Sequence, residues 1–271
     1  SLNAWAIYVH SRAQYLASTV RRFRRLLDNK RIEIHPLYAP LFEQALQGWR
    51  QQTIFVALDT SMLWNSYCMI RLSLIYRGRA VPIVWKVLEH KSASVAHRQY
   101  RDLLRRAAQL LFPFHSKVIF LADRGFADTQ LMKQLKKLGW HYRIRIKGNF
   151  QIYHKGQRPR QASRIPLAAG YTKFWHDVEI TQDHFGVVHL ALGRPLNRKD
   201  RWIVISDEPT SLETFHEFGL RFDIEENFLD DKSNGFQLES SLIRSAQALE
   251  RLCVVLALAP LYLVSPGTRV G

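Results

Sequence analysis

IFVALDTSMLWNSYCMIRLSLIYRGRAVPIVWK, residues 54–86, is the stretch that decides the fold of this chain. Its β-branched, aromatic and aliphatic residues form three runs, which predict strands at 54–60, 67–76 and 80–86. Gly78 lies between the second and third runs and predicts a turn, so these two strands should form a hairpin.

The elements that follow alternate between helix and strand. A basic helix is predicted at about 94–111, then a strand at 118–122, a helix at 129–138 and a strand at 141–145. Three strands, helix, strand, helix, strand is the order of a mixed α/β core with a ribonuclease-H-like sheet and helices on both faces. In that arrangement the first and fourth strands are neighbours.

A change of pattern after residue 146 predicts an insertion in this core. Residues 147–202 contain five glycines and short alternating runs, which are typical of a β-rich subdomain. The predicted organisation is a helical N-terminal segment at 1–50, the first part of the core at 51–146, the β-rich insertion at 147–202, and a second part of the core at 203–265 that contains the helix of Glu225 and a C-terminal helix.

Composition narrows the function classes. The 271 residues are 47% hydrophobic and carry a formal net charge of +16, which predicts a globular protein with a polyanionic partner. Charge alone does not separate DNA, RNA and an anionic membrane. Cys68 and Cys253 lie in apolar runs, which favours core positions over a disulfide or a zinc site. The eleven histidines have no ligand-like spacing.

The sequence predicts no membrane span. The longest apolar stretch, 252–264, is too short to cross a bilayer and contains Pro260, so a buried C-terminal helix is the interpretation. No signal peptide is evident at the N-terminus. We therefore predict a soluble cytoplasmic protein, with a membrane-surface protein as a remote alternative.

Two aspartates end hydrophobic, strand-like runs. Asp59 follows residues 54–58 and Asp123 follows residues 118–122. An aspartate at a strand end is usually a turn or cap residue, and that interpretation stays open for either one alone. If the first and fourth strands are neighbours, the two side chains lie together at one edge of the sheet.

A third carboxylate lies in a basic-acidic-basic frame near the C-terminus. In a helix, Arg221, Glu225 and Lys232 fall within an arc of about 40°, whereas Glu226 points away. The alternative is a surface ion pair between residues four apart. Three carboxylates on regular elements, with cations beside them to hold phosphate, predict a two-metal phosphodiester chemistry.

The sequence blocks around these acids resemble the three signature blocks of DDE transposases of bacterial insertion sequences. They read LDTS at 58–61, LADRGF at 121–126, and Arg221-x3-Glu225-x6-Lys232. The last block is similar to the signature of the insertion-sequence-four-like branch, marked by Tyr-Arg-Glu-Lys, whose members move DNA by cut and paste.

The resemblance implies a role for each of these residues. Asp59, Asp123 and Glu225 would be the catalytic and metal-binding triad, holding two Mg²⁺ ions for which Mn²⁺ substitutes. Arg221 and Lys232 would hold DNA phosphates near the cut.

Three further residues are expected at the DNA. Trp202, at the exit of the insertion, is similar in placement to a family tryptophan that stacks on a flipped base, and a core tryptophan opening a strand is an equal alternative. Phe218 stands where the family usually has tyrosine, so a hydroxyl that could bond a phosphate is missing. Arg124, beside Asp123, completes the set.

The function implied is metal-dependent cleavage of transposon ends and strand transfer into target DNA, through a hairpin intermediate. Its partners would be double-stranded DNA, as terminal inverted repeats and as target, and a second copy of the chain in an end-paired homodimer at the bacterial nucleoid. Two alternatives stay open: a nuclease of the same fold without strand transfer, and a catalytically silent DNA-binding protein. The missing initial methionine and the lack of a separate DNA-binding module are consistent with removal of an N-terminal end-recognition segment.

Overall fold

The computed structural model describes residues 2–10, 12–47, 53–196, 200–234 and 236–267. Its strands are β1 (Thr53–Leu63), β2 (Tyr67–Tyr76), β3 (Arg79–Glu89), β4 (Lys117–Ala122), β5 (His141–Arg145), β6 (Gln151–Tyr153), β7 (Arg160–Gln161), β8 (Thr172–Ile180), β9 (Phe185–Gly193) and β10 (Trp202–Ser206). Its helices are α1 (Leu2–Ala6), α2 (Leu16–Asp28), α3 (Ile34–Ala45), α4 (His97–Leu111), α5 (Thr129–Lys137), α6 (Leu212–Gly219), α7 (Phe222–Leu229) and α8 (Ala246–Gly267).

These strands form one mixed sheet in the order β3-β2-β1-β4-β5-β10-β9-β8-β6-β7. Strand β1 is antiparallel to β2 and parallel to β4, and β4 is parallel to β5. The predicted mixed α/β, ribonuclease-H-like layout is therefore confirmed, with the first and fourth strands side by side. The predicted hairpin also forms, through a turn in which Arg77 and Gly78 both have positive φ, at 49° and 72°.

Helices cover both faces of the core sheet. Every residue of β2 from Tyr67 to Ile75 is buried, which requires a layer on each side of the strand. Arg71 and Trp85 lie opposite each other in β2 and β3 and point to one face, where the Trp85 indole donates to the Glu250 carbonyl of α8 at 2.9 Å. Helices α4 and α5 also pack on the sheet and are joined by a hydrogen bond.

The strands predicted as an insertion continue the core sheet. Strand β10 lies between β5 and β9 and pairs antiparallel with both, so β6 to β9 extend the sheet beyond its core edge. The predicted domain boundaries stay predictions, and the first of them, at residues 50 and 51, falls outside the described residues.

The prediction that Arg221, Glu225 and Lys232 lie on one regular helix is wrong in detail. Between α6 and α7 the backbone tightens to hydrogen bonds that span three residues, from Arg221 N to Phe218 O and from Ile224 N to Arg221 O. Gly219, a poor helix former, ends α6 at this point. After α7 the chain continues as a π-helical turn, Asp230–Asn234, which changes the phase of the side chains.

The C-terminal apolar run belongs to a helix longer than the sequence indicated. Helix α8 has 22 residues, and its segment Ala246–Leu263 is long and apolar enough to cross a membrane by length and composition alone. Half of that segment is buried inside the protein. It packs on β3 and α3, and Leu249 and Cys253 are buried, as expected of the predicted core helix. Cys68 is buried too, and both thiols are free, as predicted.

Candidate active site

Asp59 and Asp123 lie side by side at one edge of the sheet. The parallel pairing of β1 and β4 runs as far as Leu58 opposite Ala122, and each aspartate is the next residue along its strand. Both preceding residues are completely buried, whereas the aspartates are only partly buried. The apolar runs therefore fix the two strands. Strand β4 ends just before Asp123, whereas β1 continues past Asp59 to Leu63, beyond its predicted end at residue 60, because Ser61 and Leu63 are buried as well.

Asp59 is an ionisable group that is largely shielded from solvent. Its side chain is 17% exposed. Burial raises the pKa of Asp59 to about 6, and the negative charges of Glu225 and Asp123 act in the same direction. A hydrogen bond from the Thr60 amide at 2.8 Å and the Arg221 guanidinium oppose this rise. The two other predicted acids are thus close enough to act on Asp59 electrostatically.

Arg221 joins Asp59 to Glu225. The guanidinium is buried, with Nη1 at 3.3 Å from Asp59 Oδ2 and Nη2 at 2.7 Å from Glu225 Oε1. Arg221 and Glu225 therefore share one side of the chain, as the spacing predicted, whereas no ion pair among the described residues joins Arg221 to Glu226. The Glu225 side chain is half exposed, so it borders the solvent at the rim of the site.

Asp123 offers a free oxygen ligand. Its Oδ1 atom is buried and has no hydrogen-bond partner among the described residues. Arg145 Nη1 lies 3.8 Å from it. Mg²⁺ and Mn²⁺ prefer hard carboxylate oxygens, so the unpartnered Asp123 Oδ1 fits a metal chemically. Asp59 accepts one hydrogen bond at each oxygen, from the Thr60 amide and from Arg221, and each oxygen keeps a further lone pair for a metal. In the described part of the chain, however, no three His, Cys, Asp or Glu side chains form a ready-made metal site.

Trp202 is half buried at the start of β10. Its ring makes an edge contact with Phe218 at 5.5 Å and lies 6.0 Å from Phe222. It also lines a pocket of about 250 Å³ together with Phe215 and Tyr171. Trp202 is therefore both a packing residue and an accessible aromatic surface. Phe218 is 1% exposed, so its ring supports Trp202 and offers almost no surface to DNA.

The two other predicted DNA-binding residues differ in position. Arg124 is exposed in the turn that follows Asp123. Lys232 is partly buried in the π-helical turn, and no ion pair among the described residues joins it to the three acids. The structure thus places Arg124 beside the acids but gives Lys232 no direct contact with them.

A basic cleft next to Asp123 was not recognised in the sequence. It has a volume of about 600 Å³ and is lined by Arg124, Arg145, Lys147 and Arg201. The available signal was the position of Arg145 at the end of a strand parallel to that of Asp123, because parallel strands end at the same sheet edge.

Comparison with known proteins identifies the family. Residues 64–261 match the family model described as Transposase DDE domain, which is more than half of the chain, and the chain belongs to this family. The matched range contains Asp123 and Glu225 and begins five residues after Asp59. No curated protein matches the chain.

Solved structures give more distant likenesses. Mos1 transposase catalytic domain with Raltegravir and Mg is 16% identical over 42% of this chain and 61% of that chain, with a TM-score of 0.27. The same domain with Mn is 12% identical over 49% and 62%, with a TM-score of 0.26. Marinitoga piezophila Argonaute in complex with 5′ OH guide RNA and target DNA is 9% identical over 65% and 26%, with a TM-score of 0.29.

The chain thus spans about three fifths of the length of the Mos1 catalytic domain.

Proposed function

We propose that this chain is a DNA transposase that cuts transposon ends and joins them to target DNA. The observation that carries the proposal is the meeting of Asp59 and Asp123 at one sheet edge, with Glu225 tied to Asp59 through Arg221. Membership of the Transposase DDE domain family supports the same activity.

In this proposal Asp59, Asp123 and Glu225 are the catalytic residues. They would hold two Mg²⁺ or Mn²⁺ ions, which lower the pKa of an attacking water and stabilise the leaving 3′-oxygen when bound. The raised pKa of Asp59 and the unpartnered oxygen of Asp123 favour a cation at this position, because a cation would offset the charge that burial disfavours. Glu225 borders the solvent, from which the ions and the DNA arrive.

Cationic side chains would hold the scissile strand. Arg221 is already beside two of the acids, and it would offset the growing negative charge on the reacting phosphate. Arg124 and Lys232 would bind phosphates farther along the strand. The net charge of +16 would attract double-stranded DNA, as terminal inverted repeats and as target, without sequence-specific contacts.

The finer assignment is to the insertion-sequence-four-like branch, which proceeds through a hairpin intermediate. Trp202 supports it, because its ring lines an open pocket where an extruded base could stack. Phe218 in place of tyrosine departs from the branch signature. We further propose an end-paired homodimer that works in the bacterial cytoplasm at the nucleoid.

The experiment is cleavage of DNA that carries the flanking sequences of the gene. Wild type and Asp123→Asn are compared in Mg²⁺ and in chelator. Metal-dependent breaks at a defined flank, absent in the variant, support the proposal. Cutting without end specificity or joining indicates a nuclease of the same fold instead.

A catalytically silent DNA-binding protein is the second candidate function. It is favoured by the pairing of Glu225 with Arg221, which leaves the described residues without a ready-made metal site. DNA binding without any metal-dependent break, under conditions where the protein is folded, would support this candidate over a transposase.

A further inference from the structure

A fully buried arginine lies beside the candidate site and has no part in the chemistry described so far. Arg71 is 1% exposed in the middle of β2. It is directly opposite Asp59 in the antiparallel pairing of β1 and β2, so the two side chains point to the same face of the sheet. A buried cation at this position requires an explanation, because its desolvation is unfavourable.

The partners of Arg71 come mainly from the element that carries Glu225. Its guanidinium lies 2.5 Å from Asp231 Oδ2 in the π-helical turn and donates to Asn227 Oδ1 of α7 at 2.6 Å. The same group lies over the Phe228 ring, 4.8 Å from its centroid. The contacts of Arg71 with Asn227, Phe228 and Asp231 thus hold the end of α7, and the turn after it, against β2.

Glu225 lies close to this fastening along α7. It precedes Asn227 by two residues, and its own side chain is half exposed and paired with Arg221. Ile224 and Phe228 are buried and anchor α7 by apolar packing, which sets the face that the helix turns to the sheet. Arg221 holds the start of the helix to Asp59, and the contacts of Arg71 add a second directional restraint at its end, because a guanidinium has fixed donor directions.

Stability alone does not account for the cluster. A buried ion pair is often no more stabilising than a well-packed apolar pair of the same volume, since both charges lose their hydration. The Asp231 side chain is 3% exposed, so its charge is as deeply buried as that of Arg71. The benefit of such a pair is then that it fixes the position of α7 on the sheet. The candidate site residues nearest to the pair are Glu225 and Asp59.

We propose that Arg71, through Asn227 and Asp231, is a positioning residue of the active site. It holds α7 against β2 at the level of Asp59, so that Glu225 reaches the two aspartates in one rotation and register. The proposal rests on the proposed function, because Arg71 has this role only if Glu225 acts together with Asp59 and Asp123.

The test replaces the buried polar cluster by apolar residues of similar volume. The double variant Arg71→Met with Asp231→Leu keeps the core filled, and Glu226→Gln, an exposed carboxylate on the same helix, is the matched control. Thermal unfolding, Mn²⁺ binding by calorimetry and single-turnover DNA cleavage at saturating Mn²⁺ are measured on the full chain.

We expect the double variant to melt within a few degrees of wild type. Its Mn²⁺ affinity should fall about 10-fold, and its cleavage rate about 100-fold, which is the scale of a small misplacement of a catalytic group. Glu226→Gln should match wild type in all three measurements. Wild-type Mn²⁺ affinity and cleavage rate in a folded double variant would overturn the proposal.

A less disruptive single substitution tests the same proposal if the double variant does not fold. Asn227→Ala removes one hydrogen bond of Arg71 and leaves the ion pair with Asp231 in place. We expect it to be folded, with cleavage slowed about 10-fold and KM for DNA unchanged. Losses of activity that merely follow the unfolded fraction would overturn the positioning role.

The proposed function and the positioning role fail in different ways. A wild-type protein that neither binds Mn²⁺ nor cuts DNA would overturn both, whereas failure of the positioning role alone leaves wild-type cleavage intact.

Discussion

Replacing Asp59 by asparagine is expected to stabilise the metal-free protein at neutral pH. Asp59 is 17% exposed, and burial raises its pKa from 3.8 to about 6. A shift of about two units corresponds to about 3 kcal/mol of preference for the protonated form. Asparagine is neutral and similar in shape, so it avoids this unfavourable free energy.

The pH dependence has a definite sign. The folded protein keeps the Asp59 proton to about pH 6, whereas the unfolded chain loses it near pH 4. The contribution of the protonated group to folding is therefore complete below about pH 4 and is lost as the pH rises through about 6. Asp59→Asn should match wild type in stability at pH 4 and exceed it by up to about 3 kcal/mol at pH 7.

The assay is calorimetric unfolding in chelator between pH 4 and 7.5. For a chain of this length, about 3 kcal/mol corresponds to an increase of about 5 °C in Tm. Asp183→Asn, an exposed carboxylate in the turn between β8 and β9, is the control and should leave Tm unchanged at every pH. Equal or lower stability of Asp59→Asn at pH 7 would refute the burial argument for this site.

Further predictions concern the same site. Removing the buried guanidinium with Arg221→Ala should destabilise the protein by about 3 kcal/mol in urea unfolding, since two carboxylates lose their shared partner; an unchanged midpoint would contradict this. Metal-dependent cleavage should increase as the pH rises through about 6, because Asp59 must lose its proton to bind a cation, and a flat rate profile from pH 5 to 8 would exclude such a step. Trp202→Ala should lower the yield of hairpin product, because the extruded base loses its stacking partner, while the rate of the first nick is unchanged. The fluorescence change of a 2-aminopurine placed at the flipped position should become smaller in the same variant. Lys232→Ala should reduce the salt slope of DNA binding by about one, the value for one phosphate contact, and an unchanged slope would remove Lys232 from the DNA-binding set.

The core strands and their order could be predicted because local pattern and burial agree there. Strand β2 was predicted with its observed limits, since its β-branched and aliphatic run is buried on both faces. The meeting of Asp59 and Asp123 followed from the order of strands and helices alone. Arg221 and Glu225 lie on one side of the chain, as their spacing of four residues indicated, and they form the ion pair that the sequence offered as the alternative interpretation.

Other features depend on contacts that no local pattern reveals. Arg71 looks like an ordinary polar residue within a strand, and only the packing of α7 and the π-helical turn over it makes it a buried cation. The position of Lys232 depends on a π-helical turn that a 3.6-residue period does not anticipate. The joining of the β-rich strands to the core sheet depends on β10, which pairs with strands distant in sequence.

Glu225, and not its neighbour Glu226, is the acid that we propose acts with Asp59 and Asp123. The most direct test compares Glu225→Gln with Glu226→Gln in Mg²⁺-dependent cleavage of DNA carrying the flanks of the gene. Both changes remove one negative charge from adjacent positions of α7, so the effect of net charge is shared. Only Glu225 is paired with the buried Arg221, so thermal unfolding of both variants is measured alongside to separate loss of stability from loss of cleavage. We expect Glu225→Gln to abolish cleavage while DNA binding is retained, and Glu226→Gln to cut at the wild-type rate. Equal cleavage by the two variants would exclude Glu225 from the catalytic residues.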